Sequence, residues 1–332
     1  MVSLFSDFFP KNIYMKVLVT GSAGFIGYHL TLSLLKDGYQ VCGVDNINDY
    51  YSTKLKLNRL DRLKSINNFS FSKINICDFN SLEKIFLNFR PDKVVNLAAQ
   101  AGVRYSLENP KAYMNSNIDG FFNIIELCKQ FNVKGLVYAS SSSVYGGNTK
   151  IPFSVEDDIN NPISLYAATK ASNELIANSY SHLYDLNTTG LRYFTVYGPW
   201  GRPDMAMYIF TKNIIDGHPI SVYNNGLMKR DFTYIDDIIA GTKSAIKKNY
   251  SCEIFNLGNN KSVELMDMIA VIEDTIDKKA KINYESIQLG DVKETFADID
   301  KTQKMLEYFP KTNINTGIKK FVEWYMNYKE KC

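Results

Sequence analysis

One stretch near the start limits the possible folds more than any other. Lys16–Thr20 (KVLVT) is a short, β-rich apolar run, followed directly by Gly21-Ser22-Ala23-Gly24-Phe25-Ile26-Gly27. A helical stretch then runs from Tyr28 to Asp37 and is closed by Gly38, and Gln40–Val44 reads as a second strand ending at Asp45. Strand, glycine turn, helix, strand and terminal acid is the layout of a dinucleotide-binding βαβ unit. The glycines let backbone N–H groups and the helix N-terminus approach a diphosphate. Asp45, 18 residues after Gly27, is placed to accept hydrogen bonds from an adenosine ribose. An acid there would repel a 2′-phosphate, which favours NAD over NADP. The spacing is GxxGxxG, which departs from the commoner GxGxxG, so the glycines draw their meaning from the elements around them.

The same alternation continues downstream. Phe69–Ile76 reads as a third strand ending at Cys77-Asp78, where an acid is placed to meet an adenine amino group. Ser81–Asn88 reads as a helix capped by Ser81, and Lys93–Leu97 as a fourth strand running into Ala98-Ala99-Gln100-Ala101-Gly102. Small side chains in that run allow a cofactor to pass close to the backbone, although a packed loop would use them too. Pro110–Phe131 reads as one long helix carrying Asn117, and Gly135–Ala139 as a fifth strand that delivers the serine cluster Ser140–Ser143. Thr189–Phe194 is a sixth strand, after which the regular alternation breaks down. This pattern predicts an α/β chain: a doubly wound parallel Rossmann sheet with a smaller mixed α/β substrate-binding domain. We expect the cofactor domain over residues 15–192 and the smaller domain over 193–332, with parts of 229–260 returning to the first.

Chemistry concentrates at Tyr166-Ala167-Ala168-Thr169-Lys170. Pro162 ends an extended approach and Leu165–Tyr184 reads as helix, so Tyr166 and Lys170 share one face four residues apart. A phenol at its usual pKa of about 10 is a poor base near neutrality. A lysine ammonium about 4 Å away contributes roughly 4 kcal/mol at an effective dielectric of 20. That equals about three pKa units, enough to make a tyrosinate accessible near neutral pH. The same YxxxK spacing also fits an ordinary helix face with a solvated lysine, so the glycine turn and serine cluster decide the matter.

Composition narrows the alternatives. The 332 residues are 45% hydrophobic and 22% charged, with a formal charge of +3 and no basic block, so nothing points to nucleic acid. No apolar run approaches the length of a membrane span. The five cysteines, at 42, 77, 128, 252 and 332, form no CxxC pair, and only three histidines are present. We therefore expect reduced thiols, a cytoplasmic location and no metal site. Residues 1–14 lack a basic n-region and a long apolar core, and read as an extension before the first strand, with Met15 an alternative start.

Gly21/Gly24/Gly27, the serine cluster and Tyr166/Lys170, taken together, resemble the extended short-chain dehydrogenase/reductase superfamily, in its nucleotide-sugar epimerase/dehydratase branch. The segments VDNINDYY (44–51), LAAQAGVRYS (97–106) and RYFTVYGPWGRPDMA (192–206) look most like those of UDP-glucuronate 4-epimerases. The resemblance covers nearly everything from Lys16 onward. It implies a tightly held NAD and a redox-neutral inversion of a UDP-hexuronate at C4 through a transient 4-keto sugar. In that scheme Tyr166 takes the proton of the 4-hydroxyl. Lys170 lowers the tyrosine pKa and holds the nicotinamide ribose, and Ser141 shares the proton.

Phe25, Ile26 and Asn46 would join the glycines and Asp45 around the cofactor. Ile76, Asp78, Ala98, Ala99, Gln100, Asn117 and Tyr193 would complete that surface. Decarboxylases and dehydratases of the branch carry acids after the catalytic Thr, whereas this chain has Ser142 and Ser143. These two, with Thr195 where galactose-type epimerases usually carry Asn, imply hydroxyl donors for a sugar carboxylate. Arg202 and Arg230 resemble diphosphate ligands, Asp291 a uridine-ribose ligand, and Arg104 a residue near the substrate or in a surface ion pair. Gln288 stands where many relatives have a further arginine. The alternatives are 4-epimerisation of UDP-glucose or a UDP-N-acetylhexosamine and, less favoured by Ser143, UDP-glucuronate decarboxylation. The resemblance also implies a homodimer paired through the 110–131 and 165–184 helices, and a product used in polysaccharide synthesis.

Overall fold

A computed structural model describes residues 15–288 and 291–330. Twelve strands follow in chain order. The first six are β1 (Lys16–Thr20), β2 (Gln40–Asp45), β3 (Phe69–Lys73), β4 (Lys93–Asn96), β5 (Leu136–Ser141) and β6 (Thr188–Tyr193). They are followed by β7 (Thr195–Tyr197), β8 (Pro219–Tyr223), β9 (Lys229–Tyr234), β10 (Cys252–Leu257), β11 (Ser262–Glu264) and β12 (Lys281–Glu285). Seven of them form one sheet in the order β10-β6-β5-β4-β1-β2-β3, with every pairing parallel.

A parallel sheet must be covered on both faces, so its inner strands read as continuous apolar or small-residue runs. β4 and β6 are buried along their whole length, whereas the edge strand β3 is half-exposed. Val17 and Val19 pack with Leu30 and Leu34 on one face. Leu18 and Val94 pack with Phe121 and Ile125 on the other. The chain reverses its direction of travel across the sheet between β1 and β4. A crevice opens there, at the carboxyl ends of the strands.

The remaining strands make two small sheets. In one, β7 runs parallel to β9 and β11 antiparallel to it; in the other, β8 pairs in parallel with β12. β10 arrives late in the sequence yet hydrogen-bonds β6, from Cys252–Thr188 to Leu257–Tyr193. The helix Ile235–Lys248 that precedes it packs on the first helix, Phe25–Lys36.

Several expected boundaries shift. β3 stops at Lys73, leaving residues 74–78 as a loop at the sheet's carboxyl edge. The next helix is Phe79–Phe89, capped by Asp78 and not by Ser81. The expected helix over 110–131 is continuous from Pro110 to Gln130, with a π-turn over Met114–Asp119 between Pro110–Tyr113 and Gly120–Gln130. No helix among the described residues is long and apolar enough to cross a membrane. The expectations for residues 1–14 and Cys332 lie outside the described residues.

Candidate active site

The cleft above the switch in strand order encloses about 960 Å³ and begins at the glycine turn. Gly21 adopts φ +71°, and a Cβ there would come within 2.8 Å of Ala98 N; a Cβ on Gly27 would lie 2.0 Å from Gly21 O. The turn is therefore tight for its own packing as well as for any ligand. The helix Phe25–Lys36 starts at Gly24 with no side-chain cap. Helices starting at Thr53, Phe79 and Leu165 are capped by Ser52, Asp78 and Ser164. The uncapped N–H groups and the positive helix end face the cleft, which suits a diphosphate. Asp45 accepts hydrogen bonds from Ala23 N at 3.0 Å and Ile47 N at 2.8 Å, fastening the turn to the end of β2. Phe25, Ile26, Asn46, Ile76, Ala98, Ala99, Gln100 and Tyr193 also line this cleft. The chain thus offers backbone donors, an acid and an apolar channel where a dinucleotide needs them.

Two expected cofactor residues point elsewhere. Asp78 is exposed and spends its carboxylate on Ser81 N at 3.1 Å, as the cap of its helix. Asn117 is 1% exposed. Its Oδ1 accepts from Gln100 N at 2.8 Å, and its Nδ2 donates to Gln100 O at 3.1 Å and Thr169 Oγ1 at 3.0 Å. Asn117 therefore braces the 98–102 loop from behind, and the π-turn is the local widening that carries it. Residues the sequence did not single out also line the cleft, among them Asn48, Tyr50, Lys56, Asn75 and Asp204. Asn75 became findable only with the true end of β3, which puts it at the sheet edge.

Tyr166 and Lys170 lie on the helix Leu165–Tyr184, whose cap Ser164 accepts from Ala167 N at 3.1 Å. Both residues and Ser141, at the end of β5, line the cleft. Burial dominates their electrostatics. It raises the Tyr166 phenol above its usual value, against a hydrogen bond from Ser141 and the charge of Arg202. It lowers Lys170 to about 8, against the charge of Glu174. The lysine Nζ donates to Ala139 O at 2.8 Å. Below about pH 8 Lys170 keeps its ammonium, on the same helix as the phenol.

A smaller chamber of about 140 Å³ adjoins this centre, lined by Ser142, Ser143, Thr195, Arg230, Asp291 and Thr295 among others. Ser141 Oγ accepts from Ser143 N at 3.1 Å, which folds the serine cluster into a 3₁₀ turn after β5. The charged residues expected around a substrate are engaged with protein groups. Arg104 pairs with Asp291 at 2.9 Å and lies 4.5 Å from the centroid of the Tyr223 ring. Arg202 donates two hydrogen bonds to Asp204, which also accepts from Tyr50 Oη at 3.1 Å. Arg230 donates to Lys229 O at 2.8 Å and Lys293 O at 3.1 Å.

Fold and cleft define the class: a Rossmann-type enzyme whose dinucleotide crevice ends at a serine, a tyrosine and a lysine. The chain belongs to the NAD dependent epimerase/dehydratase family, whose profile matches residues 17–258. It is 52% identical to Protein CapI of Staphylococcus aureus, over 96% of this chain and all of that one. It is 47% identical to the UDP-glucuronate 4-epimerase of Thermodesulfobacterium geofontis, over 92% of this chain and 95% of that one. Among solved structures, it resembles the UDP-glucuronic acid 4-epimerase of Bacillus cereus in complex with UDP-glucuronic acid and NAD. That match has a TM-score of 0.90 and 35% identity, and covers 95% of this chain and 100% of the other.

Proposed function

We propose that this enzyme interconverts UDP-glucuronate and UDP-galacturonate by inversion at C4. One observation carries the choice of substrate: Ser142, Ser143 and Thr195 bring three hydroxyls to the small chamber that Arg230 also lines. Hydroxyl donors suit a sugar carboxylate, and a carboxylic acid poised for proton chemistry at C5 is missing from positions 142 and 143. The 47% identity to a relative named UDP-glucuronate 4-epimerase supports the same choice.

Bound NAD supplies the acceptor and donor for the C4 hydride. The glycine turn and the start of the Phe25–Lys36 helix hold its diphosphate, with Asp45 at the adenosine ribose. Tyr166 accepts the proton of the sugar 4-hydroxyl, and Ser141, hydrogen-bonded to the phenol, orients it and stabilises the phenolate. Such proton transfer is worth roughly 10²–10⁴ in rate. Lys170, held by Ala139 O, steadies the Tyr166 side of the cleft and adds positive charge when protonated. Arg202 and Arg230 take the UDP diphosphate and Asp291 the uridine ribose. Since Arg202 and Asp291 are ion-paired within the protein, the nucleotide must exchange with Asp204 and Arg104 as it enters. The 4-keto sugar would then turn within the cleft to present its opposite face, and Tyr166 would return the proton to the C4 oxygen of the inverted sugar.

Incubation with UDP-glucuronate, with the products separated by ion-exchange chromatography, tests this directly. UDP-galacturonate is expected with little UDP-xylose; failure to interconvert the two uronates ends the proposal. We further place the enzyme in the cytoplasm, since Cys42 and Cys128 are free buried thiols suited to a reducing compartment. We also propose a homodimer, because Met114, Phe122, Leu175 and Leu183 expose apolar surface on the two helical segments. Sedimentation equilibrium at the monomer mass would refute the latter.

A further inference from the structure

Arg59 is the largest fully buried side chain among the described residues, at 0% exposure. It sits in the helix Thr53–Lys64, outside the residues assigned to catalysis or binding. Its guanidinium meets two segments far apart in sequence, each adjoining residues that line the cleft. Nη1 donates to Ala23 O, inside the glycine turn, at 3.0 Å, and to Tyr51 Oη at 2.8 Å. Nη2 donates to Trp200 O at 2.6 Å and Gly201 O at 3.2 Å, immediately before Arg202. Nε has no hydrogen-bond partner, and no carboxylate forms an ion pair with Arg59 among the described residues.

A buried charge is costly unless its donors are satisfied, and carbonyls do so only while both segments stay in place. The neighbouring carbonyl is held the same way: Pro199 O lies 2.8 Å from His29 Nε2, on the helix that the glycine turn begins. Trp200 adopts φ +63°, a left-handed conformation that a bulky residue keeps only when its surroundings impose it. Its ring packs against Tyr28 and lies under the Arg62 guanidinium. Three successive carbonyls of the arm that carries Arg202 are thus tied to the cofactor side of the molecule.

We propose that Arg59 is a positioning residue that makes the glycine turn and the Arg202 arm a single unit, so that cofactor and nucleotide-sugar binding reinforce each other. This rests on the proposed function, in which the turn holds NAD and Arg202 holds the UDP diphosphate. The planar fork is essential, because one lysine ammonium cannot span Ala23 O and the Trp200–Gly201 carbonyls together.

The test uses the NAD-loaded enzyme and UDP as the probe, with NAD dissociation followed with and without saturating UDP. In the wild type, UDP should slow NAD release by at least about fivefold, at the lower end of ordinary coupling between sites. In Arg59→Lys and Arg59→Met this factor should shrink to near one, while each variant still binds NAD and UDP. An unchanged factor in either variant, or no slowing in the wild type, overturns the inference. Hydrogen exchange on the wild type reads the same link without relying on the variants' folding. UDP should slow exchange of the Gly21–Gly27 amides, and unaltered exchange there overturns it. Failure to bind UDP or NAD at all would instead refute the proposed function.

Discussion

The Lys170 ammonium nitrogen donates to the carbonyl oxygen of Ala139, 2.8 Å away on the strand that ends at Ser141. The contact ties the lysine of one element to the strand carrying the serine, and burial leaves Lys170 with a pKa of about 8. Burial also raises the Tyr166 phenol, so the phenolate becomes more available as protons are withdrawn. We expect kcat/KM to rise from about pH 7 towards about pH 8, where Lys170 begins to shed its charge and limits the rise, with Lys170→Met lowering the rate and removing that limit. A wild-type profile falling over that range would remove Tyr166 as the base.

Tyr166→Phe keeps the ring and removes the proton acceptor. Turnover should fall by roughly 10²–10⁴ while NAD remains bound through gel filtration. Loss of the cofactor together with the rate would mean that the phenol holds NAD and does not carry the proton.

Ser142→Ala combined with Thr195→Val should act on one substrate class. Hydrogen bonds to a charged group are worth about 1.5–3 kcal/mol each. Losing them should lower kcat/KM for UDP-glucuronate by at least about tenfold, with UDP-glucose little affected. Equal losses on both sugars would remove the hydroxyls from carboxylate recognition.

His29 gives the fold an acid sensitivity of its own. Burial lowers its pKa from 6.5 to about 4, opposed by the bond to Pro199 O. Its folded value lies below the unfolded one, so the unfolded chain binds the extra proton. The stability is present above about pH 6.5 and is lost as pH falls towards 4. At the acid end the loss amounts to about 3 kcal/mol. Chemical unfolding across this range should show the decline, and His29→Gln, which keeps a donor for Pro199 O, should flatten it. An equally steep decline in the variant would assign it to other groups.

The sheet was legible because its strands are buried on both faces and glycine or small residues punctuate their ends. The Gly21–Gly27 turn and the Leu165–Tyr184 helix carry that pattern in local sequence alone. Asp78 and Asn117 were misplaced because residue type and position do not say which way a side chain points. An acid just after a strand serves equally as a helix cap, and an amide on a regular helix would have faced differently without the π-turn. Arg59 gave no signal at all, since an arginine in KLKLNRLDR looks like a solvated helix face. Its role depends on carbonyls contributed from residues 23, 200 and 201, a convergence that only the folded chain creates.

The pairing of β10 with β6 has a consequence for how the protein is made. A ribosome must translate through Leu257 before the edge left by Thr188–Tyr193 can be sealed. Until then the nascent chain displays an open row of peptide groups, the kind of surface on which neighbouring chains associate. A chain released before residue 252 should therefore emerge as a sticky, incomplete sheet and not as a free-standing dinucleotide-binding domain.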